Sequence, residues 1–325
     1  MKVLYVAGWG RSGSTILGRI LGQVEGFVPV GELRLIWDRG LIQNWLCGCG
    51  VPFRECPVWS EVVARAFGEV SHADAQRMIE LRERGLRTRH LLTPARNLLR
   101  ARVDRAGEYP EALERLYRAV RDVSQSRVIV DTSKLPTYGY VLQNTPGIEL
   151  YTLHLVRDPR AAAYSWGYRR KPRADRKDEP NNLMTRQGLV RSSLAWDARN
   201  LATEGTFGRD PERYMLLRYE DFVEDPRGSV ERILRFVGEE EAISPFIGER
   251  EIALGVSHTF SGNPDRLQGG TVKINPDEEW KSSLSIARRV AVAALTWPSL
   301  MKYGYPLWSR RGEPASALQE KIETE

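Results

Sequence analysis

A short loop near the start of the chain combines glycine, serine and arginine at spacings that suit the binding of an anion. The apolar run Val3–Ala7 predicts a strand, and a helix is expected to begin near Ser14, directly after the loop. Gly8, Gly10 and Gly13 can take backbone angles closed to other residues, so successive N–H groups can turn inward. The helix adds unpaired amides and the positive end of its dipole. The segment therefore predicts a phosphate cradle, against the simpler alternative of a tight strand-to-helix turn.

The loop follows the frame of the P-loop motif G-x-x-x-x-G-K-[ST] only in part. Gly8 and Gly13 occupy the two glycine positions, but Ser14 stands where the motif has lysine. In P-loop nucleotide triphosphatases that lysine reaches the β- and γ-phosphates beside magnesium, so without it the loop is poorly suited to a triphosphate. The fixed positive charge of this loop is Arg11 instead.

A second segment places an arginine where open parallel sheets bind their ligands. Residues 149–156 form an apolar run that predicts a buried strand, and Arg157 follows it directly. Pro159 suits the first turn of the next helix, and Ser165 lies two turns further along. Ligands bind at the carboxyl edge of such sheets. We therefore expect the hydroxyl of Ser165 and the guanidinium of Arg157 to share one anion.

With both segments considered, the chain resembles the sulfotransferases that use 3′-phosphoadenosine 5′-phosphosulfate (PAPS). The resemblance implies that Arg157 and Ser165 hold the 3′-phosphate, and that Tyr219 in a Tyr-Glu-Asp element lies beside the adenine. Residues 258–280 resemble the loop that closes over the nucleotide, with Arg266 as a binding residue. The 5′-phosphosulfate would be held by Gly10, Arg11, Ser12, Gly13, Ser14 and Thr15. The implied activity is transfer of the sulfuryl group to an acceptor hydroxyl, with release of adenosine 3′,5′-bisphosphate (PAP).

Glu32 is the strongest candidate for a general base, because the attacking hydroxyl must give up its proton. The resemblance supports this role, since the carbohydrate and tyrosyl-protein branches of the family carry a catalytic glutamate in a similar Gly-Glu segment. An ion pair with Arg34 is the structural alternative for Glu32. Arg11 and Lys134 are expected to stabilise charge on the departing oxygen. The segment that ends in Lys134 also leaves open a magnesium site with Asp131 as ligand.

The alternation of predicted strands and helices favours an α/β fold, organised as a single domain over residues 1–325. We expect a three-layer P-loop-like fold, in which helices cover both faces of a central parallel sheet. A helical insertion is expected at about residues 36–125, with its arginines from Arg82 to Arg105 on a solvated face. Binding of an acidic acceptor or a membrane by these arginines is left open as the alternative. The strands are expected near residues 2–7, 127–131, 149–156 and 213–218.

Three cysteines, Cys47, Cys49 and Cys56, fall in one loop of this insertion. Thiolates bind zinc, but a closed site needs a fourth ligand, and none of the four histidines lies at the spacing of a zinc finger. A disulfide is unexpected in a reducing cytosol. We therefore expect no metal site and three free thiols that fold a compact turn.

Composition narrows the class of protein further. The 48 Lys and Arg residues against 42 Asp and Glu residues give a formal net charge of +6, which suits a ligand as anionic as PAPS. We expect a cytoplasmic protein with no nucleic-acid partner, because no motif for one is found, and with no transmembrane segment or signal peptide. A homodimer is left open.

The expected acceptor is a small molecule, carbohydrate or lipid that carries a free hydroxyl. Two other functions remain. A P-loop kinase acting on a small molecule is disfavoured by Ser14 in the lysine position. A non-catalytic PAP-binding protein is disfavoured because Glu32, Arg11 and Lys134 are all present.

Overall fold

Five parallel strands form the central sheet of the protein, which a computed structural model describes over residues 1–85, 107–169, 172–173, 175–176 and 183–307. Numbered along the chain, the strands are β1 (Lys2–Gly8), β2 (Phe27–Gly31), β3 (Val128–Lys134), β4 (Glu149–Val156) and β5 (Tyr214–Arg218). They lie in the order β2-β3-β1-β4-β5. The predicted α/β fold with a central parallel sheet is confirmed, including its four predicted strands.

The strand β2, at one edge of the sheet, was not predicted from the sequence. Pro29 occupies the middle of this strand and removes a backbone donor. An edge strand tolerates that loss, and within the sheet β2 pairs with β3 alone. The strand matters for the site because it delivers Glu32 to the carboxyl edge of the sheet, next to the end of β3.

Helices cover both faces of the sheet. A separate two-stranded antiparallel sheet consists of β6 (Glu251–Leu254) and β7 (Gly270–Lys273). Among the described residues, no helix has both the length and the apolar character needed to cross a membrane. In chain order the described α-helices are α1 (Ser14–Leu21), α2 (Pro57–Phe67), α3 (His72–Gly85), α4 (Glu108–Ser124), α5 (Pro136–Gln143), α6 (Pro159–Gly167), α7 (Leu189–Phe207), α8 (Tyr219–Glu224), α9 (Pro226–Phe236), α10 (Glu279–Ser283) and α11 (Ile286–Lys302).

Side-chain alternation along β1 builds a hydrophobic core on each face. Val3 and Tyr5 point to one face and pack in a cluster with residues of α2, α4 and α5. Leu4 and Val6 point to the other face and pack with residues of α1 and α9. All four side chains are fully buried. The result is the expected three-layer arrangement, with the central strand of the sheet covered on both sides.

In its described residues, the insertion between β2 and β3 is helical, as predicted, in a π-helix (Ile36–Ile42) and in α2, α3 and α4. Arg84 on α3 is exposed, but Arg82 is buried and donates hydrogen bonds to the carboxylate of Asp38 and the carbonyl oxygen of Arg34. The predicted solvated face was therefore wrong for Arg82, because α3 turns this residue toward the π-helix. Outside the described residues lie Arg87, Arg89, Arg96, Arg100, Arg102 and Arg105.

Candidate active site

A pocket of about 800 Å³ lies at the carboxyl edge of the sheet. Each of the five strands ends beside it, because residues of the loop after β1, Glu32 after β2, Lys134 of β3, Arg157 after β4 and Tyr219 after β5 all line its walls. The walls carry nine basic and three acidic side chains, an excess of positive charge that suits a polyanionic ligand. The predicted site residues that line the pocket are Gly10, Arg11, Gly13, Ser14, Thr15, Glu32, Lys134, Arg157, Ser165 and Tyr219.

The loop between β1 and α1 has the backbone conformation of an anion cradle. Gly8, Arg11 and Gly13 have φ values of 122°, 71° and 84°. A positive φ is uncommon for a residue that carries a side chain, so Arg11 is held in place by its surroundings. No side chain caps the start of α1, and Ser14 and Thr15 of its first turn line the pocket. The first amides of the helix are therefore available to an anion.

Gly13 lies directly under the ring of Tyr219. A Cβ atom at Gly13 would come within 2.6 Å of a ring carbon, so this close approach requires glycine. Ser12 has a different role, because its hydroxyl donates to the carbonyl oxygen of Trp9 at 2.9 Å and its side chain is buried. Ser12 shapes the loop without lining the pocket.

Arg157 joins the loop to the opposite side of the pocket. Its Nη1 donates to the carbonyl oxygen of Arg11 at 2.9 Å, and its Nη2 donates to the carboxylate of Asp277 at 2.9 Å. The guanidinium also lies over the ring of Tyr219, 4.4 Å from the ring centroid. Ser165, on α6, lines the same pocket. The structure thus brings together the loop, Arg157, Ser165 and Tyr219, as the sequence predicts.

Asp277 forms ion pairs with two arginines at this corner of the pocket. Arg169 donates to both of its carboxylate oxygens, at 2.6 and 2.5 Å, beside the contact from Arg157. Burial opposes ionisation of Asp277, but the hydrogen bonds and charges of the two arginines outweigh burial and lower its pKa. A carboxylate of the chain itself therefore occupies the point where two guanidinium groups converge.

Glu32 and Lys134 face each other from adjacent strands. Lys134 Nζ lies 2.7 Å from Glu32 Oε1, and Arg34 Nη2 lies 3.5 Å from the other carboxylate oxygen. Burial alone would raise the pKa of Glu32, but the charges of Lys134, Arg34 and Arg39 and the hydrogen bond from Lys134 lower it to about 2. The ion pair with Arg34, which the sequence allowed as the structural alternative, is present. Glu32 is ionised at neutral pH and accepts a proton readily only when its counter-charges turn away.

Strained backbone fixes the positions of both residues. Gly31 has a φ of 79°, and a Cβ there would come within 2.0 Å of the carbonyl oxygen of Phe260. The same carbonyl accepts a hydrogen bond from the N–H of Glu32 at 3.0 Å. Lys134 has a φ of 67°, and its Nζ also donates to the carbonyl oxygen of Thr132 at 2.7 Å. Such strain in non-glycine residues clusters at functional sites.

Arg11 extends along a wall made by α6 and the segment before α7. Its guanidinium lies 4.8 Å from the ring centroid of Trp166, and its Nη1 lies 3.4 Å from the sulfur of Met184. Trp166 is fixed in turn by a hydrogen bond from its Nε1 to the carbonyl oxygen of Gly10 at 3.2 Å. Burial lowers the pKa of Arg11, yet a guanidinium stays charged at neutral pH. Within the described part of the chain no ion pair with Arg11 is found, so its charge is available to a ligand.

Arg266 does not reach the pocket that the resemblance assigned to it. Its side chain is fully buried, donates to the carboxylate of Asp175 at 3.0 Å and donates to the carbonyl oxygen of Leu46 at 2.8 Å. Among the described residues that line the pocket, Arg266 is not found, so the structure does not place it for the expected contact with the nucleotide. The reason is a buried carboxylate 91 positions earlier in the chain, which no local spacing reveals.

Asp131 is also turned away from the pocket, which removes the ligand expected for the magnesium alternative. Its carboxylate accepts hydrogen bonds from the backbone N–H of Ser133 at 2.6 Å and from the hydroxyl of Tyr117. Burial raises the pKa of Asp131 to about 6, against the lowering effect of these hydrogen bonds. The side chain of Asp131 is thus buried in the core beside β3 and does not reach the pocket.

Six further cations line the pocket that were not predicted as site residues. Arg34 and Arg39 follow Glu32 closely in the chain, and this proximity was the one local signal available. Arg199 comes from α7, and burial lowers its pKa to about 10. The full set is Arg19, Arg34, Arg39, Arg169, Arg173 and Arg199.

The cysteine loop lies outside this pocket and acquires a fourth side chain. His258 folds against Cys47, Cys49 and Cys56, and the four ligand atoms lie within 4.8 Å of one another. The fold therefore supplies a fourth side chain with a metal-binding atom, which the spacing of the histidines did not indicate. His258 lies 211 positions after Cys47, so a search for zinc-finger spacing could not find it.

Comparison with known proteins identifies the family of the chain. A family model described as the sulfotransferase family matches residues 4–242. Similar solved structures include the sulfotransferase domain from the Synechococcus PCC 7002 olefin synthase, with 18% identity and a TM-score of 0.49 over 94% of this chain and 96% of that one. The sulfotransferase domain from the curacin biosynthetic pathway has 15% identity and a TM-score of 0.48 over 94% and 98% of the two chains. A sulfotransferase from Alicyclobacillus acidocaldarius has 16% identity and a TM-score of 0.39 over 92% and 93%. The family match spans the sheet and the pocket residues from the loop to Tyr219, and the chain belongs to the sulfotransferase family.

Proposed function

We propose that this sulfotransferase takes its sulfuryl group from PAPS and transfers it to an acceptor hydroxyl, releasing PAP. The observation that carries the proposal is the presence of two anion sites in one pocket. One is the loop at the start of α1, and the other is the corner where Arg157 and Arg169 converge. PAPS carries one anionic group at its 5′ position and another at its 3′ position, so it needs two such sites.

On the donor side, the loop Gly10–Thr15 would hold the 5′-phosphosulfate through its amides and the start of α1. Arg157 and Ser165 would hold the 3′-phosphate, which takes the place of the Asp277 carboxylate. Tyr219, already stacked against Arg157, would contact the adenine.

In the transfer itself, the acceptor oxygen forms a bond to sulfur while the bond from sulfur to the phosphate oxygen breaks. The electron pair of that bond stays on the phosphate oxygen of PAP, and the acceptor proton goes to the carboxylate of Glu32. Arg11 and Lys134 would stabilise the charge that develops on the departing oxygen.

Lys134 links the two halves of this step. It pairs with Glu32 at 2.7 Å in the structure, where it lowers the basicity of the carboxylate. When Lys134 turns toward the departing oxygen, Glu32 loses its nearest counter-charge and its pKa rises. Glu32 would thus become a stronger base at the stage of the reaction when it must accept the acceptor proton.

The acceptor side of the pocket favours a polar small molecule. Beside Glu32 it is lined by the guanidinium groups of Arg34, Arg39 and Arg199, which suit an acceptor rich in oxygen atoms. We propose a hydroxyl of a sugar, lipid or secondary metabolite. Location in the cytoplasm and a homodimeric state remain predictions from the sequence.

Two competing functions can be weighed against the geometry. A small-molecule kinase would need a lysine at the position of Ser14, and Asp131, the carboxylate that the sequence offered for magnesium, points into the core. A non-catalytic PAP-binding protein has no need for a buried, ionised glutamate beside a lysine at the acceptor edge.

The test is a panel of hydroxyl acceptors incubated with PAPS and read by mass spectrometry for gain of a sulfuryl group, with PAP release measured in parallel. ATP with magnesium replaces PAPS in a second arm, and magnesium is omitted from a third. Sulfated product from PAPS without magnesium supports the proposal. Product formed only from ATP and magnesium would establish a kinase, and tight PAP binding without turnover of any acceptor would favour the non-catalytic alternative.

A further inference from the structure

Four side chains with metal-binding atoms meet close to Phe260, the residue whose carbonyl oxygen accepts a hydrogen bond from the N–H of Glu32. Cys47, Cys49 and Cys56 come from the loop between the π-helix and α2, and His258 comes from the segment after β6. Cys49 Sγ lies 3.8 Å from Cys56 Sγ, and His258 Nδ1 lies 3.2 Å from Cys56 Sγ and 3.9 Å from Cys47 Sγ. Cys47 and Cys56 are fully buried.

Three of the six distances between these ligand atoms are close to those of a tetrahedral zinc site, and all six are 4.8 Å or less. With Zn–S bonds of about 2.3 Å and Zn–N bonds of about 2.05 Å, tetrahedral zinc holds sulfur atoms about 3.8 Å apart and sulfur and nitrogen atoms about 3.5 Å apart. The Cys49–Cys56 separation equals the first value, and the two distances to His258 bracket the second. A disulfide would instead need two sulfur atoms about 2.05 Å apart.

Backbone contacts bring the two segments together and fix the directions of the ligands. The N–H of Gly48 donates to the carbonyl oxygen of Thr259 at 2.9 Å, and Trp59 Nε1 donates to the carbonyl oxygen of His258 at 2.8 Å. A Cβ at Gly48 would come within 2.4 Å of the carbonyl oxygen of Ser257, so glycine permits the close approach. The cysteine loop and the His258 segment therefore pack as one unit.

We propose that Cys47, Cys49, Cys56 and His258 bind one zinc ion as a closed structural site. Three thiolates and one imidazole are a ligand set that favours zinc among the common divalent metals, and four protein ligands leave no position open for substrate. Binding of Zn²⁺ releases the three thiol protons to solvent, so the complex carries a net charge of −1. Arg266, whose guanidinium donates to the carbonyl oxygen of Leu46 beside Cys47, lies close enough to offset part of that charge.

The site supports the acceptor side of the pocket through the backbone. Two residues after His258, the carbonyl oxygen of Phe260 accepts the hydrogen bond from the N–H of Glu32 at 3.0 Å. The next residue, Ser261, accepts a hydrogen bond from Arg39 Nη1 at 2.7 Å. Zinc would thus tie the insertion to the segment that positions Glu32 and Arg39. The four ligands act as positioning residues and do not touch the reacting atoms.

The proposal is tested by metal content, which does not depend on the donor or the acceptor. The full chain is purified without chelator, its affinity tag is removed, and metals are measured by plasma mass spectrometry. We expect one zinc per chain, and at least about tenfold less in Cys49→Ser and His258→Ala. His72→Ala, which removes an exposed histidine on α3, serves as the matched control and should keep its zinc.

A second measurement uses the unmutated protein, so that a variant that fails to fold cannot decide the matter. Replacement of the metal by Co²⁺ should produce the visible absorption of tetrahedral cobalt together with thiolate-to-cobalt charge transfer. Alkylation should modify the three cysteines only after the metal is removed. Metal-free protein with three freely alkylated thiols, or with a disulfide between two of the cysteines, would overturn the proposal.

Discussion

Lys134 Nζ lies 2.7 Å from Glu32 Oε1, so the proposed general base and one of the cations assigned to the leaving group form an ion pair in the structure. Both residues sit at the carboxyl ends of neighbouring strands, and both depend on an unusual backbone conformation, at Gly31 and at Lys134 itself. In the proposed mechanism, the same lysine either restrains the base or stabilises the departing oxygen. Proton acceptance and charge stabilisation would thereby be coupled.

Glu32→Gln should abolish the base without changing the shape of the pocket. PAP affinity should remain within about twofold, while turnover should fall by roughly 100- to 10,000-fold, the usual contribution of a general base. Calorimetry with PAP and steady-state kinetics with PAPS measure the two effects. Glu25→Gln, at an exposed position, is the matched control. Near-normal turnover would remove Glu32 from the mechanism, and weakened PAP binding would assign it a structural role.

The depressed pKa of Glu32 predicts how stability depends on pH. In the folded protein this pKa is about 2, below the ordinary value of 4.5, so the ionised carboxylate stabilises the native state. That contribution is fully present above pH 4.5 and is lost as the pH falls toward 2. It is on the order of 3 kcal/mol, since one pKa unit corresponds to about 1.4 kcal/mol.

The measurement is urea unfolding of the native protein and of Glu32→Gln at several pH values. The difference in unfolding free energy should be constant above pH 4.5 and should shrink steadily below it. A difference that does not change between pH 5 and pH 3 would contradict the ion pair with Lys134.

Gly13→Ala should damage nucleotide binding through a close contact. The new Cβ would lie 2.6 Å from a carbon of Tyr219, in a residue whose φ is 84°. We expect PAP affinity to fall at least tenfold, beyond the strain of about 1–2 kcal/mol that any side chain meets in the left-handed region. Gly68→Ala is the matched control, because Gly68 has a φ of 70° but no atom within 4 Å of an added Cβ. Equal binding of PAP by both variants would show that the Gly13–Tyr219 contact is unimportant.

Asp277→Asn should strengthen PAP binding. The carboxylate of Asp277 accepts hydrogen bonds from Arg157 and Arg169, so a 3′-phosphate must displace it. A neutral amide competes less well than a carboxylate for these two guanidinium groups. An increase in PAP affinity of roughly threefold to tenfold is expected in calorimetry, with ADP affinity unchanged. Glu278→Gln, one residue further along and paired with Lys281, is the control. Weaker PAP binding by Asp277→Asn would mean that Asp277 serves to position Arg157.

Local sequence patterns were sufficient to predict one class of features. The strand-loop-helix at Gly8–Ser14 and the arginine after β4 were found because short-range spacing determines both backbone conformation and position at the sheet edge. Parallel-sheet topology then brings strand ends together, which is why Lys134, Arg157 and Tyr219, each following a predicted strand, could be expected at one site. Glu32 was assigned to that site through the family resemblance, because its own strand β2 was not predicted.

Features that depend on distant partners could not be predicted in this way. Arg266 is drawn to Asp175, 91 positions away, and His258 joins cysteines more than 200 positions earlier. Asp277 pairs with Arg157 across 120 positions. The strand β2 was missed for a different reason, because Pro29 argues locally against a strand and only its edge position makes it acceptable.

The most direct test of PAPS as the donor is calorimetric titration of the native protein with PAP and with ADP, which requires no knowledge of the acceptor. Both ligands contain adenine, ribose and a 5′-phosphate, but only PAP has a phosphate at the 3′ position, which we assign to Arg157 and Ser165. Each charge-assisted hydrogen bond contributes about 1.5–3 kcal/mol, so the native protein should bind PAP at least tenfold more tightly than ADP. Arg157→Ala should remove most of that preference by weakening PAP much more than ADP, while Arg209→Ala, at an exposed position, should preserve it. Tighter binding of ADP than of PAP by the native protein would contradict the assignment of PAPS as the donor.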